Sequence, residues 1–555
     1  MSEKGTASHV EVCRSIDAPQ ATPANNEPST MISTPQDTPQ DYRISWKTIL
    51  PLLSLLLAFG AFSAQLVTPS TIAHQVEAVG GSRQSSWIAN SANVVSFATT
   101  AICGSIGDHW SKKHLILLGL AIGFTGCMTA SRANKIGEII AGQGLVGLSS
   151  ALLVVVQPAG MEILPNRKRP IATVGFLVFL VLASIGCTLS TGYCIKYNVT
   201  GAGWRWVYYV PAILDFCAFV SVAITYFPPP PRIARGKKTT EILKDFDFLG
   251  MLLLMTGAIF LLIGFSWGGS AYPWASARVV SFICIGIVFC ACFAVWDWRG
   301  TIMGLLPHAL FSEGRNLPLL MAISFTNGIV MYGGAAYLPQ MITAIFTNDP
   351  VYQTLPLVLS SVTEALGGVI SAFYLLKWKR YRAAFLVAGL WLGAWLGAAA
   401  AITPDKRWLS YVAPIIATGV AITNMIRTFG GTIGVAIFSS VLSNEEKKQI
   451  SALFYPAAIQ AGLSASTSQK LLTGLAYSTP DQLLLEKIPG VTKQAILILR
   501  PLYKLALAQS YRYVWLSVMP FALLGAFMAL FLQPIEKYMT NHVESKLEPE
   551  AKISD

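Results

Sequence analysis

The 555-residue chain is 53% hydrophobic and only 12% charged, with a mean hydropathy of +0.54. An ordinary soluble domain carries about 25% charged residues and alternates polar and apolar faces, so a soluble core is excluded. The net charge of +12 sits in short loops beside apolar runs, which is the pattern of a membrane protein and excludes a nucleic-acid-binding protein.

Residues 1–44 are rich in Pro, Thr, Ser, Asp and Gln and read as a disordered cytoplasmic tail; they hold no cleavable signal. The core then spans 45–442. A bilayer crossing needs roughly 20 apolar residues. Such runs lie at 48–70, 86–107, 114–131, 137–160, 171–195, 204–227, 246–267, 278–298, 317–343, 354–376, 383–403, 408–442 and 512–534. The expected fold is an all-α polytopic membrane protein of 13–14 transmembrane helices. The range 408–442 is too long for one crossing and too short for two with a loop. After it, 443–511 has amphipathic stretches at 450–461 and 492–508 and is expected as a long extracellular loop. The last span, 512–534, leads to a C-terminal tail over 535–555.

Alternate loops differ in basic residues: 16 Lys and Arg on one side against 8 on the other, which places the N-terminus in the cytoplasm. The sequon Asn198-Val-Thr200 then lies outside, close to the membrane, and is a weak glycosylation site. Eight of the nine cysteines fall in or at the ends of spans, where Cys behaves as a small hydrophobe, and no metal spacing stands out.

The loop after the second span reads Gly104-Ser-Ile-Gly107-Asp108-His-Trp-Ser-Lys112-Lys113. Gly104 and Gly107 suit close helix approach, Asp108 suits a cap or an ion pair, and the two lysines anchor the cytoplasmic face. Such a cluster can hold one conformation of a rocking transporter closed. In this setting the loop resembles the signature of the major facilitator superfamily, with His109 and Ser111 replacing that family's usual Arg and second Gly. The resemblance implies two six-helix bundles. Two antiporter elements are eroded: Gln143-Gly144 lacks its Arg, which is Ile140 here, and the stretch around Gly186-Cys187 lacks its Pro and final glycines.

Three stretches resemble the fungal fourteen-span branch that contains trichothecene efflux pumps and siderophore-iron transporters. They are Glu162-Ile-Leu-Pro165-Asn-Arg-Lys-Arg169, Gly203-Trp-Arg205-Trp-Val-Tyr-Tyr209, and Asp247-Phe-Leu-Gly250 with the Gly-, Trp- and Tyr-rich run from Gly264 to Arg278. Glu162 and Arg205 are expected to be positional. That branch has a full hairpin where 408–442 stands, ending in a stretch like Arg427-Thr-Phe-Gly-Gly431, so the hairpin here is shortened by about one helix.

Charges inside a bilayer are costly and tend to be functional. Asp215, in the middle of the sixth span, and Glu364, in the tenth, are candidate proton-coupling residues; structural hydrogen bonding is the alternative for each. Arg427 is positional if 408–442 is a hairpin. Asn90, Asn93, Gln157, Asn327, Tyr337 and Gln340 are candidates to line a substrate cavity, with interhelical hydrogen bonding as the alternative. No phosphate-binding loop is present, so neither nucleotide nor another cofactor is expected, and no membrane-face cluster points to an enzyme. The expected function is proton-coupled efflux of a secondary metabolite, toxin or drug by a monomer in the plasma membrane, its partners a small-molecule substrate and the lipid bilayer. Ferric-siderophore uptake, or an inactive or sensing relative, are the alternatives.

Overall fold

The structure, a computed structural model, describes residues 46–65, 86–109, 111–164, 169–228, 247–268, 272–299, 315–346, 349–378, 381–406, 408–409, 424–476, 488 and 490–533. The tails expected over 1–44 and 535–555 lie outside the described residues.

The apolar runs fold as helices because a backbone in lipid must satisfy its own hydrogen bonds. In chain order they are α1 (Trp46–Gln65), α2 (Ser86–His109), α3 (Lys112–Ser131), α4 (Ile136–Leu153) with its continuation α5 (Val156–Glu162), α6 (Arg169–Lys196) and α7 (Trp206–Thr225). A hairpin of α8 (Phe248–Trp267) and α9 (Ala277–Arg299) follows, then α10 (Asn316–Ile345), α11 (Pro350–Trp378), α12 (Tyr381–Ala400) and α13 (Asn424–Gln449). The chain continues through a π-helical turn (Ile450–Phe454) into α14 (Tyr455–Gln460), then α15 (Ala465–Ala476) and α16 (Lys493–Ala529). Among the described residues, ten stretches are long and apolar enough to cross a membrane. Helix α2 carries the polar run Asn90, Ser91 and Asn93.

Helices α1 to α7 form one bundle, packed around Leu55, Phe59, Ile116, Leu120 and Phe176. Helices α10, α12, α13 and α16 share a second core around Val330, Leu396, Phe438, Val514 and Trp515. The pairing repeats between the halves. In the first, α1 packs on α6 and α7, and α3 packs on α7; in the second, α10 packs on α13 and α16, and α12 packs on α16. The halves meet through α6 against α11 and through α2 against α13, and these two contacts are each other's counterparts in the same exchange. Helix α4, which fills the space between α2 and α3, has no counterpart among the described helices of the second half.

Local motifs explain the extra hairpin. Asp247 caps α8, accepting from Gly250 N at 2.8 Å and from Trp296 Nε1 on α9 at 2.9 Å. A Cβ at position 250 would fall 2.1 Å from Asp247 Oδ2, so the Asp-x-x-Gly spacing is a structural start signal. The hairpin leans through α8 on α2 and α13, and Trp274 Nε1 donates to Ser440 Oγ at 3.0 Å.

Register settles the range 408–442. Helix α13 runs parallel to α10, with Gly430 against Phe325, Gly434 against Ile329 and Phe438 stacked on Tyr337 at 5.4 Å. Helix α16 runs back, since Gln533 N donates to Asn316 Oδ1 at 2.6 Å, and Arg382 at the start of α12 donates to Leu532 O. So α10, α12 and α13 all begin on the face where α16 ends. Helix α12 ends on the opposite face, with Ala400 and Ile402 packed in one cluster with Ile345. The connection from Ile402 to Asn424 therefore has to cover the depth of the bundle, and 408–442 is not one crossing.

The segment expected as a loop over 443–511 is helical through most of its described part. Helix α13 runs past 442 to Gln449, and α16 begins at Lys493 and passes through the expected boundary at 511 without a break. The amphipathic stretches, too polar to read as spans, pair their apolar faces: Ile450, Phe454, Leu471, Ile496, Leu499 and Tyr503 bury one another in a core of their own. At 37 residues α16 rises about 55 Å, so it serves both this cap and the last crossing.

Because Ile402 and Asn424 lie on opposite faces, a reporter fused after Asp555 should read on the same side of the membrane as one fused before Met1; opposite sides would mean that the connection before Asn424 does not cross. Beyond Leu442, burial raises the carboxyl pKa of Glu446, against a smaller lowering by Lys447. A raised carboxyl stabilises the fold fully below the ordinary glutamate range, and that stability is lost as pH climbs through the raised value. The melting temperature of the wild type should thus fall relative to Glu446→Gln as pH rises from about 4.5; parallel curves for the two proteins would refute this.

Candidate transport pathway and its gates

Asp215 lies halfway along α7 and is fully buried. Its two oxygens accept from Gln65 Nε2, at the end of α1, at 2.9 and 3.0 Å. Among the described residues no ion pair includes it. Gly123 on α3 makes the room: a Cβ there would meet Gln65 Nε2 and Ser149 Oγ at 2.6 Å each and Asp215 Oδ2 at 2.9 Å. Ser149 Oγ, on α4, is buried without a hydrogen-bond partner. Four helices thus converge on one carboxylate in the middle of the first bundle. An ionisable group at that depth is costly unless used or paired, and here an amide is the partner shown. Asp215 was visible in the sequence as a charge inside a span. Gln65, Ser149 and Gly123 were not, because their role comes from three other helices.

The loop between α2 and α3 divides its roles differently from the expectation. Gly107 fits close approach, since a Cβ would lie 3.0 Å from Val155 Cγ1; Gly104 does not, as a Cβ there would meet nothing within 4 Å. Lys112 forms an ion pair with Glu162 at the end of α5. Lys113 Nζ donates to Ala223 O at 2.8 Å and lies 3.3 Å from the centre of the Phe227 ring. Both lysines therefore tie down the first bundle itself. The Asp108 side chain lies outside the described residues.

Arg205 reaches back from the start of α7 to Ala133 O at 3.4 Å and Asn134 Oδ1 at 3.3 Å, joining it to the α3–α4 turn. Asn198 is exposed in a left-handed backbone conformation, φ 45°, with its Oδ1 accepting from Gly203 N at 3.4 Å.

The described members of the polar set lie at different depths in the two bundles. Helices α2 and α4–α5 run parallel, with Ala92 against Gly147 and Gly107 against Val155. Gln157, next to Val155, is therefore about 20 Å further along the bundle than Asn93. Asn327 and Tyr337 are ten residues apart on α10, about 15 Å. Tyr337 is buried in the second core against Phe438, a packing role, and Gln340 is exposed. Asn93, Gln157 and Asn327 are half-buried. Glu364 lies on α11, Asn90 on α2, and Arg427 three residues into α13, as the hairpin reading has it; the side chains of all three lie outside the described residues. Sequence reasoning also missed an ion pair between the halves, Lys196 Nζ to Asp349 Oδ2 at 2.8 Å, whose members read singly as loop charges.

Comparison with known proteins agrees with this architecture. Residues 22–423 match the fungal trichothecene efflux pump (TRI12) family. The chain is 23% identical to the trichothecene efflux pump TRI12 of Fusarium sporotrichioides, over 89% of this chain and 88% of that one. It is 24% identical to the MFS-type transporter gkaD of Penicillium citrinum, over 87% and 83%. In fold it resembles a bacterial homologue of the human drug peptide transporters PepT1 and PepT2, with a TM-score of 0.52, 11% identity, and coverage of 89% of this chain and all of that one. A chain that matches the family profile over most of its length, and that folds as two bundles related by an internal exchange, is a multi-pass transmembrane transporter of the major facilitator fold and belongs to the fungal trichothecene efflux pump family.

Proposed function

We propose that this chain exports an amphipathic secondary metabolite of the trichothecene class across the plasma membrane, as a monomer driven by protons. The family match over 22–423 carries the export reading. The buried Asp215 supports the coupling: a carboxylate held by Gln65, with an adjoining hydroxyl from Ser149, can gain and lose a proton as the first bundle moves. Glu364 on α11 is a second candidate for the same work in the other half. In this scheme Gly107, Lys112 and Glu162 brace the cytoplasmic end of the first bundle, and Arg205 positions the start of α7. The N-terminus and the C-terminus both face the cytoplasm, and the helical layer of 450–507 lies outside. The chain acts as a transporter without enzymatic turnover.

A second reading is a chain that has lost transport, since the range 408–442 is short for two crossings with a loop. Both readings meet in one assay. Yeast cells expressing the chain should accumulate several-fold less radiolabelled trichothecene than control cells, and a protonophore should abolish the difference. Unchanged accumulation would favour the second reading. Asp215→Asn should cut energised efflux at least tenfold while leaving the amount of folded protein unchanged; full activity would remove Asp215 from the coupling. Gly123→Ala should overpack the same cluster by about 1–3 kcal/mol, lowering the melting temperature by a few degrees. A neutral effect would mean that the four helices do not close on Asp215 as described.

A further inference from the structure

We propose that Lys196 and Asp349 form a latch that closes the outer end of the transport pathway and sets the resting state to face the cytoplasm. The pair joins the two halves. Lys196 is the last residue of α6 and Asp349 immediately precedes α11, the two helices whose packing is the main seam between the bundles. Their charged groups are 2.8 Å apart. Each charge is also held by its own helix. Lys196 sits at the negative, C-terminal pole of α6, and Asp349 sits at the positive, N-terminal pole of α11, where its Oδ1 accepts from Val351 N at 3.0 Å. Because α6 and α11 run antiparallel, these complementary poles meet on one face, the one the basic-residue count puts outside.

The other end of the same helix pair has the opposite character. The stretch that opens α6 holds Arg167, Lys168 and Arg169, and the one that closes α11 holds Lys377, Lys379 and Arg380. Neither 163–170 nor 374–384 contains an acidic residue. The seam thus has an attracting pair at its outer end, whereas the sequence at its inner end is basic on both helices. That difference biases rocking towards a pathway closed outside and open inside, the state in which an exporter meets its cargo. The pair is partly exposed, at 37% and 27%, so its weight is modest: about two- to five-fold in the ratio of the two states, and weakened by salt.

The inference rests on the transporter fold but not on the substrate or on Asp215, so its test reads conformation and needs no transport. Spin labels at Tyr197→Cys and Leu355→Cys, exposed sites beside the pair, report the separation of the outer ends by pulsed dipolar spectroscopy in reconstituted protein. Wild-type charges should give mainly the short distance. Lys196→Asp should raise the long-distance fraction by a factor of two or more, and the exchange Lys196→Asp with Asp349→Lys should restore the short one. Should the reversal fail to fold, Lys196→Gln should shift the distribution the same way by less. Raising the salt from 0.05 to 1 M should lengthen the distance in wild type but not in Lys196→Ala/Asp349→Ala. An unchanged distribution in the single variants, or an exchange that behaves like the single reversal, would overturn the latch.

Discussion

The seam between the two bundles is the constraint on which the remaining structure depends. Helix α6 packs along α11, and its counterpart contact, α2 with α13, closes the other side. A rocking transporter needs these contacts to hold at one end while the other opens. This explains why α2, a helix of the seam, carries the polar run Asn90, Ser91 and Asn93. It also explains the hairpin α8–α9, which braces α2 and α13 from the side and ties Trp274 to Ser440 without entering either bundle.

The exchange of α1 for α10, α2 for α11, α3 for α12, α6 for α13 and α7 for α16 leaves α4 alone. In the first half α4 carries Ser149 to Asp215 and keeps α2 and α3 apart. In the second half, Ile402 and Asn424 lie on opposite faces, the register that exchanging α12 for α3 and α13 for α6 requires.

How much of this could be read from the sequence follows from what each signal depends on. Spans were legible because each needs only its own apolar run, and Asp215 because a charge in such a run stands out by itself. Gln65 and Ser149 were not, since an amide at a helix end and a serine in a span gain meaning only when four helices meet. Tyr337 was misleading for the converse reason: a hydroxyl on a ring suggests a polar lining, but the ring area against Phe438 decides its place. The segment after 442 read as a loop because its helices are amphipathic and bury their faces in one another, a pattern that hydropathy averages away.

The eroded loop between α2 and α3 gains a physical sense from these contacts. With His109 and Ser111 in place of the usual Arg and Gly, its two lysines turn inward to Glu162 and to Ala223 O, both within the first bundle. Among the described residues, an ion pair joins the bundles on the outer face, Lys196 to Asp349. Through Lys112 and Lys113 the loop stiffens the cytoplasmic end of its own bundle, while Lys196 and Asp349 hold the halves together at the outer end, where the helix poles already favour the charges that do it.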